Sequence, residues 1–246
     1  MRQITYVVGS AGGIGQAVME RLRQTGSTAV GFDADIPSDG SSPADYFPID
    51  VRSYENVVGA FGTAHRLYGS PTHLVFAAGI MARGKIDEVT SDQLEGTFGV
   101  NAVGAFNCIK ASTPMLAAAD EASIVIVTSN AGHVPRVGLT SYCASKAAAE
   151  AISKVAGLEL APRGIRVNAV APGSTNTRML TEVVGNGGAE QAIAGEPERF
   201  RLGIPLRRVA DPEDVAEVIA FLISPASKQI TMETVTVDGG ATLGAY

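Results

Sequence analysis

Tyr142, Lys146 and Ser129 are the residues whose types and spacing could do chemistry on an alcohol or a carbonyl group. Tyr142 and Lys146 lie four positions apart in an alanine-rich run, Tyr-Cys-Ala-Ser-Lys-Ala-Ala-Ala-Glu-Ala, which predicts a helix. Residues at this spacing share one face of a helix, so we expect the ammonium group to lie beside the phenol. A nearby positive charge favours the phenolate and lowers the phenol pKa from its usual value of about 10.

Ser129 follows an apolar segment, residues 124–128, that predicts a strand. From the end of that strand its hydroxyl could reach the same pocket as the phenol. The three side chains could then hold a substrate oxygen and move its proton. A Tyr-x-x-x-Lys spacing also arises by chance, so the weight of the trio depends on the elements that would position it and a cofactor.

The N-terminal segment has the pattern of a dinucleotide site. Residues 4–8 predict a strand, residues 16–24 predict a helix, and Gly-Ser-Ala-Gly-Gly-Ile-Gly connects them. Such a turn lets the backbone approach a pyrophosphate, and the helix N-terminus offers free N–H groups and a positive dipole. The expected cofactor-binding residues of this turn are Gly9, Ala11, Gly13, Ile14 and Gly15.

Asp33 stands at the end of the second predicted strand, residues 28–32, and 18 positions after Gly15. A carboxylate there can accept hydrogen bonds from the hydroxyls of the adenosine ribose. The same charge repels a 2′-phosphate, and no Arg or Lys is near the glycine turn or Asp33 in the sequence. The expected cofactor is therefore NAD rather than NADP.

Strands and helices alternate along the whole chain. This predicts an α/β protein with a single-domain Rossmann fold over residues 1–246, a doubly wound seven-stranded parallel sheet with helices on both faces. The ends of the later strands supply further cofactor candidates: Asp50 and Val51 for the adenine edge, Ala78 and Gly79 beside the nucleotide, and Pro172, Gly173, Thr175 and Thr177 for the nicotinamide end.

Two regions leave alternatives open. Residues 91–116 predict one long amphipathic helix that carries Asn101 in an apolar segment. A buried amide needs a hydrogen-bond partner. Asn101 could therefore have a structural role, at a helix kink or in an interhelix hydrogen bond, or it could have a functional role. Residues 178–210 are weakly patterned and polar, which is typical of either a mobile substrate lid or a plain surface excursion.

Composition disfavours several classes of function. The chain has 246 residues, is 46% hydrophobic and carries a net charge of −6, which opposes binding to nucleic acid. No apolar run approaches the roughly 20 residues needed to cross a bilayer, and the N-terminus leads directly into a strand without a signal peptide. Cys108 and Cys143 make neither a disulfide framework nor a metal cluster. We expect a cytoplasmic protein with no metal and no membrane partner.

With these motifs in order, the chain resembles the short-chain dehydrogenase/reductase family over its whole length. The resemblance rests on the glycine turn, Asn101, Ser129, the Tyr142–Lys146 pair and the Pro-Gly dipeptide after the sixth strand. It implies that Tyr142 is the catalytic acid and base and that Lys146 lowers its pKa and holds the nicotinamide ribose. Ser129 would orient the substrate oxygen, and Asn101 would anchor a proton-relay water. The family also implies a homotetramer built through the two long helices and the last strand.

Stretches outside the cofactor motifs, among them residues 133–138 and 202–206, resemble members that oxidise a ring hydroxyl of a dihydroxycyclohexadiene carboxylate with NAD, in siderophore or related secondary metabolism. A small-molecule carboxylate substrate needs a cationic partner. Arg136 is the first candidate because its loop follows Ser129. Arg83 and Arg178 come next, and His133 could assist.

Three other functions stay open on the sequence. The substrate ring could carry an amino group beside the reacting carbon. The enzyme could reduce a 3-oxoacyl thioester, although Asp33 opposes the NADP that this reaction would favour. The chain could also be an NAD-binding regulator without turnover, which the intact set of Ser129, Tyr142 and Lys146 disfavours.

Overall fold

The computed structural model describes residues 3–35, 46–116, 121–184 and 188–244. Its strands are β1 (Ile4–Val8), β2 (Thr28–Asp33), β3 (Tyr46–Pro48), β4 (His73–Phe76), β5 (Ala122–Val127), β6 (Ile165–Pro172) and β7 (Thr234–Val237). Its α-helices are α1 (Gly13–Gln24), α2 (Tyr54–Tyr68), α3 (Ser91–Phe98), α4 (Gly104–Leu116), α5 (Thr140–Leu160), α6 (Arg178–Val184), α7 (Gly188–Ala194) and α8 (Pro212–Ile223). Within these residues, no helix is both long and apolar enough to cross a membrane.

The strands form one parallel sheet in the order β3-β2-β1-β4-β5-β6-β7. The order reverses between β1 and β4, which pair from Thr5 with His73 to Val8 with Phe76. Loops that leave these two strands diverge and open a crevice at the carboxyl edge of the sheet, which is where open α/β sheets bind ligands.

Both faces of the sheet are buried, and alternate residues of one strand enter different cores. Tyr6 and Val8 pack with Phe61 of α2 and Leu116 of α4, whereas Val7 packs on the other face with residues of α1 and α8. Strands covered on both faces are largely apolar, as β5 illustrates: all six of its residues are buried, and only Ser123 among them is polar. The predicted doubly wound seven-stranded parallel sheet with helices on both faces is confirmed.

Two predicted boundaries shift near the expected cofactor groove. The segment 47–51 predicts a third strand that ends in Asp50, but the strand ends at Pro48, because the chain turns toward α2 at Asp50, whose N–H donates to Asn56 Oδ1 at 2.8 Å. Helix α1 begins at Gly13 rather than Gln16, so the glycine turn itself forms the first helical turn. Free N–H groups of the helix therefore come close to the crevice.

The predicted helix over residues 91–116 is interrupted in its middle. A π-helical segment, Gly99–Val103, separates α3 from α4 and contains Asn101. Such segments insert one extra residue into a helix and occur frequently at functional sites.

The region expected to be a lid contains more regular structure than its sequence pattern indicated. It holds α6, α7 and a 3-10 turn at Pro197–Arg199, while residues 185–187 lie outside the described residues. Residues on both sides of α7 line the cavity above the sheet edge, among them Leu180 and Leu202. The segment therefore lies beside the cavity, and its role as a substrate lid stays a prediction.

A Gly15→Ala substitution should destabilise the fold, because an added Cβ would lie 2.0 Å from Gly9 O. We expect the free energy of unfolding to fall by about 1–3 kcal/mol, as for other overpacked positions. Gly59→Ala in α2 is the matched control, since nothing lies within 4 Å of its added Cβ. That change should be neutral or stabilise by about 0.5–1 kcal/mol. Equal melting temperatures for both variants would contradict the tight turn.

Candidate active site

A cavity of about 190 Å³ lies at the carboxyl ends of β5 and β6 and is covered by the segment after α6. Ser129, Tyr142 and Lys146 all line it. Ser129 has extended backbone directly after β5, and its Oγ accepts a hydrogen bond from Ala131 N at 3.1 Å. Tyr142 lies in the first turn of α5, with its hydroxyl close enough to the Ser129 side chain for Ser129 to act on the phenol pKa. The structure thus brings the three predicted residues together.

Lys146 is buried, with only 4% of its surface exposed. Its Nζ donates to Val127 O at 2.9 Å and lies 5.9 Å from the centre of the Tyr142 ring. Burial disfavours the ammonium form and lowers the pKa of Lys146 to about 8. The carbonyl at the end of β5 therefore fixes the position of this side chain.

Burial raises the pKa of the Tyr142 phenol above its ordinary value of 10.0, and the neighbouring Ser129 side chain acts in the opposite direction. The net pKa is thus raised rather than lowered as expected, and the part of Lys146 in favouring the phenolate stays a prediction. The reason is physical: desolvation of the phenolate outweighs the other effects, and the Lys146 ammonium is directed at Val127 O rather than at the phenol oxygen.

Asn101 is fully buried, and its amide is satisfied on both sides. Its Oδ1 accepts from Ile80 N at 2.9 Å, while Nδ2 donates to Ile80 O and to Ser145 Oγ, each at 2.9 Å. Ser145 Oγ in turn donates to Tyr142 O at 2.9 Å. The structural alternative, an interhelix hydrogen bond at a helix irregularity, is therefore correct, and a proton-relay role of Asn101 stays a prediction.

The expected cofactor groove adjoins this cavity, and its floor fits a dinucleotide. Gly9 has φ +84°, and an added Cβ would lie 2.3 Å from Ala78 N, so two backbone turns are in contact there. A Cβ on Gly13 would lie 2.9 Å from Thr177 Cγ2. Glycine at these positions leaves a shallow backbone surface with helix N–H groups beside it, as a pyrophosphate requires.

The candidate cofactor residues divide between the two spaces. The groove is lined by Gly9, Ala11, Gly13, Asp33, Asp50, Val51, Ala78, Gly79 and Thr177. The cavity is lined by Ile14, Gly79, Tyr142, Lys146, Pro172, Gly173, Thr175 and Thr177. Gly15 lines neither, because it lies beneath the turn against Gly9 O.

Asp33 supports the turn as well as facing the groove. Its Oδ2 accepts a hydrogen bond from Ala11 N at 2.8 Å. Asp50 forms an ion pair with Arg52, whose Nη2 lies 2.8 Å from Asp50 Oδ2, and this hydrogen bond lowers the Asp50 pKa. Arg52 lines the same groove as Asp33, which the sequence order did not indicate.

The predicted substrate contacts are only partly brought together. Arg136 and Arg83 line the cavity, and burial lowers the pKa of Arg136. Arg178 lines the cofactor groove, not the cavity. His133 is also absent from the cavity wall, because its Nε2 hydrogen-bonds with the Glu150 carboxylate on α5. These two expected substrate contacts are not supported by the geometry.

Glu150 on α5 stabilises the loop after Ser129 through its hydrogen bond with His133. It is buried, and its carboxylate receives hydrogen bonds from His133, from Lys154 Nζ at 2.6 Å and from Thr234 Oγ1 at 3.1 Å. Burial alone would raise the Glu150 pKa, but the hydrogen bonds from Lys154 and His133 keep it below its ordinary value.

Two basic residues of the cavity wall were missed by the sequence analysis, Arg199 and Arg201. Both belong to the segment that was expected to be a lid, and they lie two positions apart around Phe200. A carboxylate substrate and a lid were both predicted, so a basic residue in the lid was the available signal. Whether such a residue points toward the cavity depends on how the lid segment folds, and the local sequence pattern does not predict this.

Comparisons with known proteins agree with this geometry. Residues 9–242 match a family model described as enoyl-(acyl carrier protein) reductase. The 2,3-dihydro-2,3-dihydroxybenzoate dehydrogenase of Bacillus subtilis is 38% identical over 253 residues, with 98% of this chain and 97% of the relative covered. The enzyme of the same name from Escherichia coli is 36% identical, with 98% and 97% covered.

Solved structures show the same architecture. Ligand-free aldohexose dehydrogenase of Thermoplasma acidophilum superposes with a TM-score of 0.89 at 27% identity, covering 99% of this chain and 95% of that one. The 3-ketoacyl-(acyl-carrier-protein) reductase of Brucella melitensis, solved with NADH, gives 0.85 at 26% identity, with 98% of each chain covered. The chain belongs to the short-chain dehydrogenase/reductase family, whose members bind a nicotinamide cofactor.

Proposed function

We propose that this chain oxidises a ring hydroxyl of 2,3-dihydro-2,3-dihydroxybenzoate, with NAD as the cofactor, to give 2,3-dihydroxybenzoate. Full-length similarity to dehydrogenases of that name supports the substrate. The observation that carries the proposal is the cavity wall, where the Ser129–Tyr142 pair and the half-buried Arg136 line one space. That wall suits a small ring with an alcohol at one end and a carboxylate at the other.

The proposed chemistry begins with the substrate hydroxyl between Ser129 and Tyr142. Ser129 Oγ holds the oxygen, and the Tyr142 phenolate accepts its proton. Lys146 stabilises the phenolate, because its positive charge is one helical turn away on α5. A bound nicotinamide supplies the hydride acceptor. The oxidised ring is a dienone that tautomerises to an aromatic catechol, which makes the oxidation effectively irreversible.

The groove supports NAD as the cofactor. The Asp33 carboxylate lies at the tip of β2, and Arg52, a basic residue of the same groove, is paired with Asp50. A 2′-phosphate on the ribose would meet the Asp33 charge.

Uncharged substrates fit the wall less well. Relatives at 31–34% identity include a 2,5-dichloro-2,5-cyclohexadiene-1,4-diol dehydrogenase of Sphingobium indicum and a diacetyl reductase of Staphylococcus aureus. Partly buried guanidinium groups without an anion are costly, which favours a carboxylate over such neutral compounds. A panel that compares the dihydrodiol carboxylate, its amino analogue and the neutral diol by NADH formation tests the proposal. Equal activity on the neutral diol would overturn it.

A single-domain homotetramer in the cytoplasm stays part of the proposal. Phe106 on α4 and Leu158 on α5 are 48% and 64% exposed, which suits a contact between subunits through these helices.

Replacing Tyr142 with Phe removes the proton acceptor without changing the size of the ring. We expect kcat to fall by about 10²–10⁴-fold, with NAD binding retained in a titration of protein fluorescence or heat. Tyr54→Phe is the control, because Tyr54 contacts Lys110 outside both spaces. If Tyr142→Phe kept a tenth of the wild-type rate, the assigned role would be wrong.

Replacing Lys146 with Met should move the pH dependence of kcat/KM. Oxidation needs the phenolate, so the rate rises with pH as Tyr142 loses its proton. Burial already raises the Tyr142 pKa, and loss of the neighbouring positive charge raises it further. The ascending limb should therefore shift to higher pH, with the rate at pH 7 at least about 100-fold lower. An unshifted limb in a profile from pH 6 to 10 would exclude electrostatic help from Lys146.

Replacing Asp33 with Asn tests the basis of cofactor choice. Asn keeps an oxygen that can accept from Ala11 N, so the turn is preserved while the charge is lost. We expect the ratio of kcat/KM for NAD over that for NADP to fall by about tenfold or more, corresponding to about 1.4 kcal/mol. The same ratio in both proteins would contradict the role of the Asp33 charge.

A further inference from the structure

The segment that follows α7 is a fixed hairpin whose arginines line the cavity. Glu196 N donates to Arg201 O at 2.8 Å and Arg201 N donates to Glu196 O at 3.1 Å, so the hairpin closes on itself. Phe200 at its tip has φ +54° and is 86% exposed. This backbone points Phe200 outward, while Arg199 and Arg201 on either side line the cavity.

The charge of Arg199 already has partners. Its Nη1 lies 3.3 Å from Glu196 Oε2, and its Nη2 donates to Val137 O at 2.7 Å. Arg199 therefore ties the hairpin to the loop that carries Arg136. Its guanidinium is a structural clamp rather than an open anion site.

In the part of the chain that the structure describes, Arg201 forms no such ion pair, although the Glu196 carboxylate is near enough to favour its charged form. Its Nη2 donates to Ser174 Oγ at 3.0 Å, and among the described residues no carboxylate lies within 4 Å of its guanidinium. The side chain is half-buried, and burial lowers its pKa, with the nearby charge of Arg136 acting in the same direction. A partly buried guanidinium beside a second one is unfavourable until an anion joins them.

Arg136, which also lines the cavity, likewise has a partly buried guanidinium group. Its guanidinium forms no ion pair among the described residues. Asp238 is close enough to raise its pKa, but that carboxylate already receives hydrogen bonds from Asn130, Gly240 and Thr242. One carboxylate has two oxygens and can accept from two guanidinium groups at once.

We propose that Arg201 binds the substrate carboxylate together with Arg136, and that this shared anion fixes the hairpin of residues 195–204 over the reacting hydroxyl. The inference rests on the proposed function and adds a residue that the sequence did not suggest. Arg136 belongs to the loop after Ser129 and Arg201 belongs to the lid. The carboxylate therefore joins the two walls of the cavity. A neutral ring supplies no anion, so the two positive charges of Arg136 and Arg201 repel each other.

The test compares 2,3-dihydroxybenzoate with catechol, which lacks only the carboxylate, by calorimetric titration of the NAD-bound protein. Wild-type protein should bind the carboxylate more tightly, and Arg201→Gln should weaken that binding at least tenfold while catechol binding stays the same. Arg201→Lys should recover part of the loss, because one charge returns without the planar fork. Arg208→Gln, which breaks an exposed pair with Asp214, is the control and should change neither value.

A second readout separates contact from folding. The carboxylate should slow hydrogen exchange of the hairpin amides in wild-type protein and not in Arg201→Gln, with equal melting temperatures and NAD affinity in both. If Arg201→Gln weakened carboxylate and catechol equally, or if hairpin exchange responded to the carboxylate in the variant, the role of Arg201 would be refuted. If wild-type protein did not distinguish carboxylate from catechol, the proposed function itself would fail.

Discussion

A buried ammonium group is the constraint on which this active site depends. Lys146 is removed from water, and such a charge is tolerated only where hydrogen bonds replace its hydration. Val127 O at the end of β5 accepts a hydrogen bond from Lys146 Nζ, and Gly79 after β4 leaves the necessary space, since a Cβ there would lie 3.2 Å from Nζ. The register of two neighbouring strands thus determines where the Lys146 side chain lies relative to Tyr142 and Ser129.

The irregular helix before β5 follows from the same requirement. Asn101 must satisfy a buried amide, and the π-helical segment lets it reach both Ile80 and Ser145. Ser145 is on α5, one residue before Lys146, and its hydroxyl also donates to Tyr142 O. A hydrogen-bonded chain therefore links the loop after β4, the interrupted helix and the helix that carries Tyr142.

Much of this arrangement was predictable because it is encoded locally. The apolar runs gave the parallel sheet, and the spacing of Tyr142 and Lys146 placed both on one face of α5 with Ser129 opposite. The Tyr142 pKa was not predictable in that way, because it depends on burial by elements distant in sequence. His133 and Arg178 were misplaced for a similar reason, since the partner Glu150 and the groove beside Arg178 arise only from tertiary packing. Arg199 and Arg201 could be identified as cavity residues only from the tertiary structure, which shows that the hairpin places both side chains on the cavity wall.

Glu150 has a consequence for how this protein can change. Its carboxylate braces His133 against α5 and the edge strand β7, using groups that line neither the groove nor the cavity. The support of the Ser129 turn is therefore independent of the arginines that line the cavity. Substitutions of the cavity arginines could therefore change which substrate charge the cavity prefers. The position of Ser129 would stay the same, because its support comes from other residues.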